Sequence, residues 1–226
     1  MSPAGIDRPA PPLPTVQQLV LASANPGKQH ELSQLLAPLG ICVRLAAEWG
    51  LASAPETGAT FRDNALIKSR AAARATGLPA LADDSGLEVD ALDGRPGVYS
   101  ARFAAPNASD AQNNARLLEA LAGVPAAART ARYRCLLALV RDADDPTPLL
   151  TEGTWEGHIA LAPAGRGGFG YDPLFIPEGH TQTVAELPAA LKQTSSHRAR
   201  ATAALLARLR ASGWPAPSGG PAQPSA

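Results

Sequence analysis

The chain has 226 residues, enough for one substantial core or for two lobes around a cleft. Twenty Lys plus Arg balance twenty Asp plus Glu, so no broad positive field is available to hold a polyanion; a nucleic acid polymer is excluded as the expected partner, and any nucleotide bound is small and free. No apolar run approaches the ~20 residues of a membrane span, prolines interrupt residues 1–14 where a signal peptide has its apolar segment, and Cys42 and Cys135 each lie in an apolar stretch and read as reduced core thiols, so a cytoplasmic protein with no membrane partner is expected.

Residues 1–15 and 213–226 are rich in Pro, Gly, Ser and Ala and offer little to bury, so both read as disordered tails around a single domain at 16–212. Residues 18–23 (QLVLAS) form a short apolar run, and helical spacing follows at Leu32, Leu35, Leu36 and Leu39. Between them Asn25 can cap the helix, with Pro26 at its first position, where the missing N–H costs nothing. The turn of Ser23, Ala24, Asn25, Pro26, Gly27 and Lys28 therefore aims backbone N–H groups, the positive helix end and a lysine at one spot, which suits a phosphate. It is not a Walker A loop, which wants Gly where Ala22 stands and Ser or Thr where Gln29 stands. Taken alone, the segment also fits an ordinary capped helix with an exposed lysine.

A second helix is predicted over residues 60–76, closed by Gly77, and a strand over 78–82 that stops at Asp83 and Asp84 before Ser85 and Gly86. Strand ends in α/β folds face the ligand crevice. Adjacent strand side chains point to opposite faces, so the two acids cannot share one role: one can bind metal or activate water while the other braces the turn. Glu56, in a loop before the helix that carries Asn64 and Lys68, could complete a magnesium site, because that ion takes oxygen ligands and few protein carboxylates. By themselves Glu56 and Lys68 read as solvated charges.

Further helices are predicted over 109–121 and 196–209, and a hairpin of strands over 131–141 and 149–159 turns at Asp144, Asp145 and Pro146. Helices and strands interleave, which gives an α/β fold with a mixed sheet. The run GRGGFG at 165–170 matches the dinucleotide fingerprint by letter only, since Tyr171-Asp172-Pro173 follows where that motif needs a helix. It reads instead as a glycine loop presenting Phe169 for stacking and Asp172 for a base edge. Lys192, His197 and Arg198 frame the start of the last helix, capped by Ser195 or Ser196, and can donate hydrogen bonds to an anionic or carbonyl-bearing ligand.

In order along the chain, SANPGK, TFRDNALIKSRAAA, LADDSGLEVDALDGRPGVYSARF, GRGGFGYDPLF and LKQTSSHRARA together resemble the inosine/xanthosine triphosphate pyrophosphatase family, over nearly all of residues 19–209. The resemblance implies an elongated mixed β-sheet with flanking helices, two lobes around a substrate cleft, a homodimer and a Mg2+ cofactor. The implied activity is hydrolysis of inosine, deoxyinosine and xanthosine triphosphates (ITP, dITP, XTP) to the monophosphate and pyrophosphate. Carried over by position, residues 23–28 fall on the triphosphate loop with Lys68 as a further phosphate contact. Asp84 falls on the proton acceptor and metal ligand, Glu56 on a second metal-site acid, Asp83 on a ligand or a brace, and Ser85 on a substrate contact. Phe169, Gly170, Tyr171, Asp172, Lys192, His197 and Arg198 fall on the base-recognition positions. A nucleotide-binding module without catalysis, or a hydrolase of standard or pyrimidine nucleotides, would use the same loops.

Overall fold

The computed structural model describes residues 18–23, 25–37 and 40–212. The expected tails, together with Ala24 and Leu39, lie outside the described residues. Six strands form one sheet: β1 (Gln18–Leu21), β2 (Cys42–Leu45), β3 (Ala80–Val89), β4 (Thr130–Val140), β5 (Leu149–Ile159) and β6 (Phe175–Pro177), in the order β2-β1-β3-β4-β5-β6. β1 runs parallel to β2 and β3, and the remaining pairs are antiparallel, so the sheet is mixed as expected. Five helices flank it: α1 (Pro26–Leu36), α2 (Phe61–Thr76), α3 (Asp110–Ala120), α4 (Ala189–Ser195) and α5 (His197–Ala211). Among the described residues no helix is long and apolar enough to cross a membrane.

Strand parity sorts the helices onto the sheet's two faces. Leu81, Leu137 and Leu139 meet α1 and α5 through Leu32, Leu36, Ala201 and Leu205, while Ala80, Ala138 and Val140 meet α2 through Ala65, Ala72 and Ala73. The small side chains of α2 let it lie close to the strands, and burial of these apolar surfaces at roughly 25 cal/mol per Å2 drives the layering. A separate core forms further along the same long strands, where Leu87, Val89, Tyr133 and Trp155 pack with Leu117 and Leu121 of α3 and with Phe175. The two cores give the two lobes, and residues 83–86 of β3 cross between them.

Two expectations are corrected. The strand does not stop at Asp83-Asp84; β3 continues to Val89, with Asp84 opposite Leu136 and Gly86 opposite Arg134 of β4. What ends there is the neighbour on the other side: β1 pairs with β3 only as far as Leu21↔Leu81, so the acids lie just past the point where β3 loses that partner and the cleft opens. Cys42 is exposed rather than a core thiol, because β2 is the edge strand; Cys135 is buried as expected.

Candidate active site

Three segments converge on the middle of β3. Asn25 caps α1, its Oδ1 accepting from the Lys28 amide at 3.1 Å, while Ser23 Oγ accepts from the Asn25 amide at 3.2 Å and Ser23 O from Gln29 Nε2 at 2.8 Å. The turn is thus fixed with the helix N-terminus and Lys28 facing the cleft. A Cβ on Gly27 would sit 2.7 Å from the Phe169 ring, so only glycine lets this turn lie against the glycine loop.

Asp83 and Asp84 point to opposite faces, as alternation on a strand requires. Asp83 is held on the α5 side: Lys28 Nζ donates to its Oδ1 at 2.5 Å, Ser85 Oγ donates to the same oxygen at 2.7 Å, and Arg198 Nε and Cys135 Sγ reach Oδ2 at 2.7 and 3.3 Å. Burial alone would push this carboxyl up, but the guanidinium of Arg198 and the ammonium of Lys28 hold it well below the usual carboxylate range. Asp84 lies on the α2 side, where Lys68 Nζ donates to its Oδ1 at 2.6 Å and to Asp83 O at 2.9 Å. Burial pushes Asp84 up, and the Lys68 charge offsets this only in part. Lys68 also reaches Glu56 Oε1 at 3.1 Å, and Arg102 Nη1 takes Glu56 Oε2 at 2.6 Å. Glu56 and Asp84 thereby converge on one buried ammonium, although they lie far apart in sequence.

Beyond Lys28 a cavity of about 120 Å3 opens, lined among others by Ser85, Tyr133, Phe169, Lys192 and His197. Lys192 Nζ sits 4.0 Å from the Phe169 ring centroid and donates to Asp172 Oδ2 at 2.6 Å. Asp172 is almost fully buried, and it accepts in addition from the Phe169 amide at 3.0 Å and Tyr133 OH at 3.2 Å. Its carboxylate therefore closes the glycine loop onto Lys192 and β4. His197 stacks on Tyr133 with centroids 4.6 Å apart; burial holds its imidazole well below the usual histidine range, and its Nδ1 has no partner among the described residues. Ser196 is the cap of α5, its Oγ accepting from the Ala199 amide at 3.2 Å.

A family model described as the Ham1 family matches residues 19–208, a span that contains every one of these groups. The chain belongs to the Ham1 family. It is 54% identical over 195 residues to the dITP/XTP pyrophosphatase of Methylococcus capsulatus, covering 86% of this chain and 97% of that one. It is 52% identical over 196 residues to the dITP/XTP pyrophosphatase of Xanthomonas oryzae pv. oryzae, covering 87% and 98%. Among solved structures it resembles a HAM1 protein from Coxiella burnetii, with a TM-score of 0.81, 45% identity, and coverage of 87% of this chain and 100% of that chain. The family and fold expected from the sequence are those found, and the Methylococcus and Xanthomonas relatives are pyrophosphatases, hydrolases of acid anhydrides, by name.

The Ham1 cleft brings together Ser23, Asn25, Lys28, Lys68, Asp83, Asp84, Ser85, Phe169, Asp172, Lys192, His197 and Arg198, and places Glu56 on the same lysine as Asp84. Arg198 differs most from its sequence reading. It is buried, with Nε on Asp83 and Nη1 on Glu31 Oε2 at 2.5 Å, so much of its guanidinium holds α5 to β3 and α1. Sequence reasoning passed over Glu31, Arg102, Tyr133 and the face of α3 that holds the glycine loop. Arg102 stands inside the quoted SARF run and Glu31 one helical turn after Lys28, but neither has a local pattern that names its partner.

Proposed function

We propose that this chain hydrolyses inosine, deoxyinosine and xanthosine triphosphates to the monophosphate and pyrophosphate, with Mg2+, and so clears them from the nucleotide pool. The observation that carries this reading is the position of Asp84 on Lys68, one residue along β3 from Asp83, which is held by Lys28 of a helix-capped phosphate turn that itself lines a base-sized cavity with an aromatic wall.

The residues present fit magnesium. Glu56 and Asp84 offer two carboxylates that converge on Lys68 Nζ, at 3.1 and 2.6 Å. That pair suits a hard cation which takes its remaining ligands from water and phosphate oxygens. Asp83 is assigned to bracing rather than to the metal, since its carboxylate faces the α5 side, away from Glu56 and Asp84, where Lys28 and Arg198 balance its charge. When bound, magnesium draws charge from the phosphate oxygens.

The chain's own groups do the rest. The α1 N-terminus, Ser23, Asn25 and Lys28 hold phosphates, and Lys68 adds a second ammonium beside them. Asp84, whose pKa burial raises from the ordinary aspartate value, accepts the proton of the attacking water while Lys68 compensates its charge. Phe169 supplies a stacking face, and Lys192, His197 and Arg198 supply donors for a 6-oxo purine. Homodimerisation and a cytoplasmic site belong to the same reading, as does sufficiency of residues 16–212, which a trimmed chain with undiminished turnover would bear out. Pyrophosphate release from a panel of purine and pyrimidine nucleoside triphosphates, with magnesium and with chelator, tests the whole. Inosine and xanthosine triphosphates are expected to lead by orders of magnitude; equal turnover of adenosine triphosphate, or undiminished turnover in chelator, would overturn it.

A further inference from the structure

The glycine loop carries the stacking face and the base-facing groups, yet glycines are its least constrained residues. Gly170 stands between Phe169 on one side and Tyr171 and Asp172 on the other, in the left-handed region at φ 64°. A glycine in this region has backbone freedom that other residues lack.

Two side chains of α3 grip that point. Asp110 Oδ2 accepts from the Gly170 amide at 2.6 Å, and Asn114 Nδ2 donates to the Gly170 carbonyl at 2.9 Å. The amide belongs to the peptide before Gly170 and the carbonyl to the peptide after it, so the pair fixes both peptide planes around that Cα. The two residues stand at i,i+4, hence on one face of the helix, and α3 is itself fixed by a capping box in which Ser109 and Gln112 bond reciprocally. Asn114 is buried, and its Oδ1 has no partner among the described residues, so the bond to Gly170 is its one polar commitment there.

The neighbouring Asn113 extends the grip to the other end of the cleft. Its Nδ2 donates to Ala101 O at 3.1 Å and its Oδ1 accepts from the Ala104 amide at 2.9 Å, on either side of Arg102, the partner of Glu56. Tyr171 OH donates to Ser100 O at 2.8 Å and ties the same two segments directly. α3 thus sets the base loop against the segment that positions Glu56, and its Asp110 and Asn113 line the cavity that Asn25 and Lys28 also reach.

We infer that Asn114, with Asp110, is a positioning residue for base discrimination: it fixes the spacing of Phe169 from Asp172 and Lys192, and so decides how closely the cavity fits a 6-oxo purine. The inference rests on the activity proposed above. Loss of a polar fit of this kind shows as lost discrimination rather than as lost phosphate affinity. Asn114→Asp keeps the shape but turns a carboxylate on the Gly170 carbonyl, whereas Asp110→Ala removes the acceptor of the Gly170 amide.

The test compares kcat/KM for inosine and adenosine triphosphates, inhibition by free pyrophosphate, and thermal unfolding in the full chain. Asn114→Asp is expected to lower the inosine-over-adenosine ratio by about 10-fold, mainly through KM for inosine triphosphate, with pyrophosphate inhibition within about 2-fold of wild type. Asp110→Ala, which leaves the Gly170 amide without its acceptor, is expected to lower the same ratio. Asn114→Ser, smaller and without the misplaced charge, serves where Asn114→Asp fails to fold and is expected to lower the ratio likewise. An unchanged ratio in the Asn114 or Asp110 variants, or a parallel loss of pyrophosphate inhibition in the Asn114 variants, would overturn the inference. Wild-type protein without activity on inosine triphosphate would instead overturn the proposed function, so the two failures are distinct.

Discussion

Replacing Arg198 by Ala removes the guanidinium that joins α5 to β3 and α1. Its side chain is 1% exposed, and its partners Asp83 and Glu31 are 0% and 15% exposed. The change leaves Asp83 with Lys28 as its remaining basic partner at 2.5 Å, and Glu31 with Lys192 at 3.4 Å. Breaking a buried pair from one side costs about 3–5 kcal/mol, because the orphaned charge stays in low dielectric. For a chain of this size each kcal/mol corresponds to about 2–4 °C, so the melting temperature should fall by about 6–20 °C. Calorimetric unfolding of Arg198→Ala, Asp83→Asn and the double variant measures this directly. The double variant should lose less than the sum of the two single losses, since removing both charges relieves the imbalance. Pyrophosphate release from inosine and adenosine triphosphates in the same proteins should show a narrowed preference for inosine. A stability loss below about 1 kcal/mol, or strict additivity, would refute the ion-pair argument. Equal loss on every nucleotide with the ratio intact would make Arg198 scaffold alone and refute its part in base selection.

Asp84→Asn should retain nucleotide binding while turnover falls by about 10²–10⁴-fold or more, and pyrophosphate release at saturating substrate checks it; near-normal rates would remove Asp84 from the chemistry. Lys28→Ala should weaken binding of a triphosphate far more than of the matching nucleoside, a comparison for isothermal titration, and equal weakening would refute the phosphate-turn assignment. His197 has a folded-state pKa well below that of the unfolded chain, so below about pH 6.5 the unfolded state takes up a proton that the folded state does not. Stability should therefore fall as pH drops through that value, by about 1.4 kcal/mol per pH unit from this group, and His197→Gln should flatten the curve by that amount. Parallel denaturation curves for the two proteins between about pH 6.5 and 5 would contradict a neutral buried imidazole.

The elements most legible in the sequence are those whose boundaries are set locally. Asn25-Pro26 opens α1, Thr60 and Gly77 bracket α2, and the Asp-Pro turn joins β4 to β5, each through chemistry contained in a few neighbouring residues. β3 is the opposite case. Asp83-Asp84-Ser85-Gly86 reads as a turn because such residues are depleted in strands. It stays extended because β4 pairs with it throughout and because Lys28, Lys68 and Arg198 arrive from three helices to balance the acids. The same separation hid the brace: Arg198 and Glu31 meet only after α1 and α5 pack on one face of the sheet. β2, β6 and α4 are short and owe their form to their neighbours. Lys192 is legible in the sequence as a candidate site residue, but the helix that carries it is not.

Hydrolysis of inosine triphosphate in H₂¹⁸O, with the products resolved by mass spectrometry, tests the central claim most directly. Activation of water by Asp84 for attack at the α-phosphorus predicts one ¹⁸O in inosine monophosphate and unlabelled pyrophosphate. Label in pyrophosphate, or release of labelled orthophosphate with inosine diphosphate, would place the attack elsewhere and contradict the account.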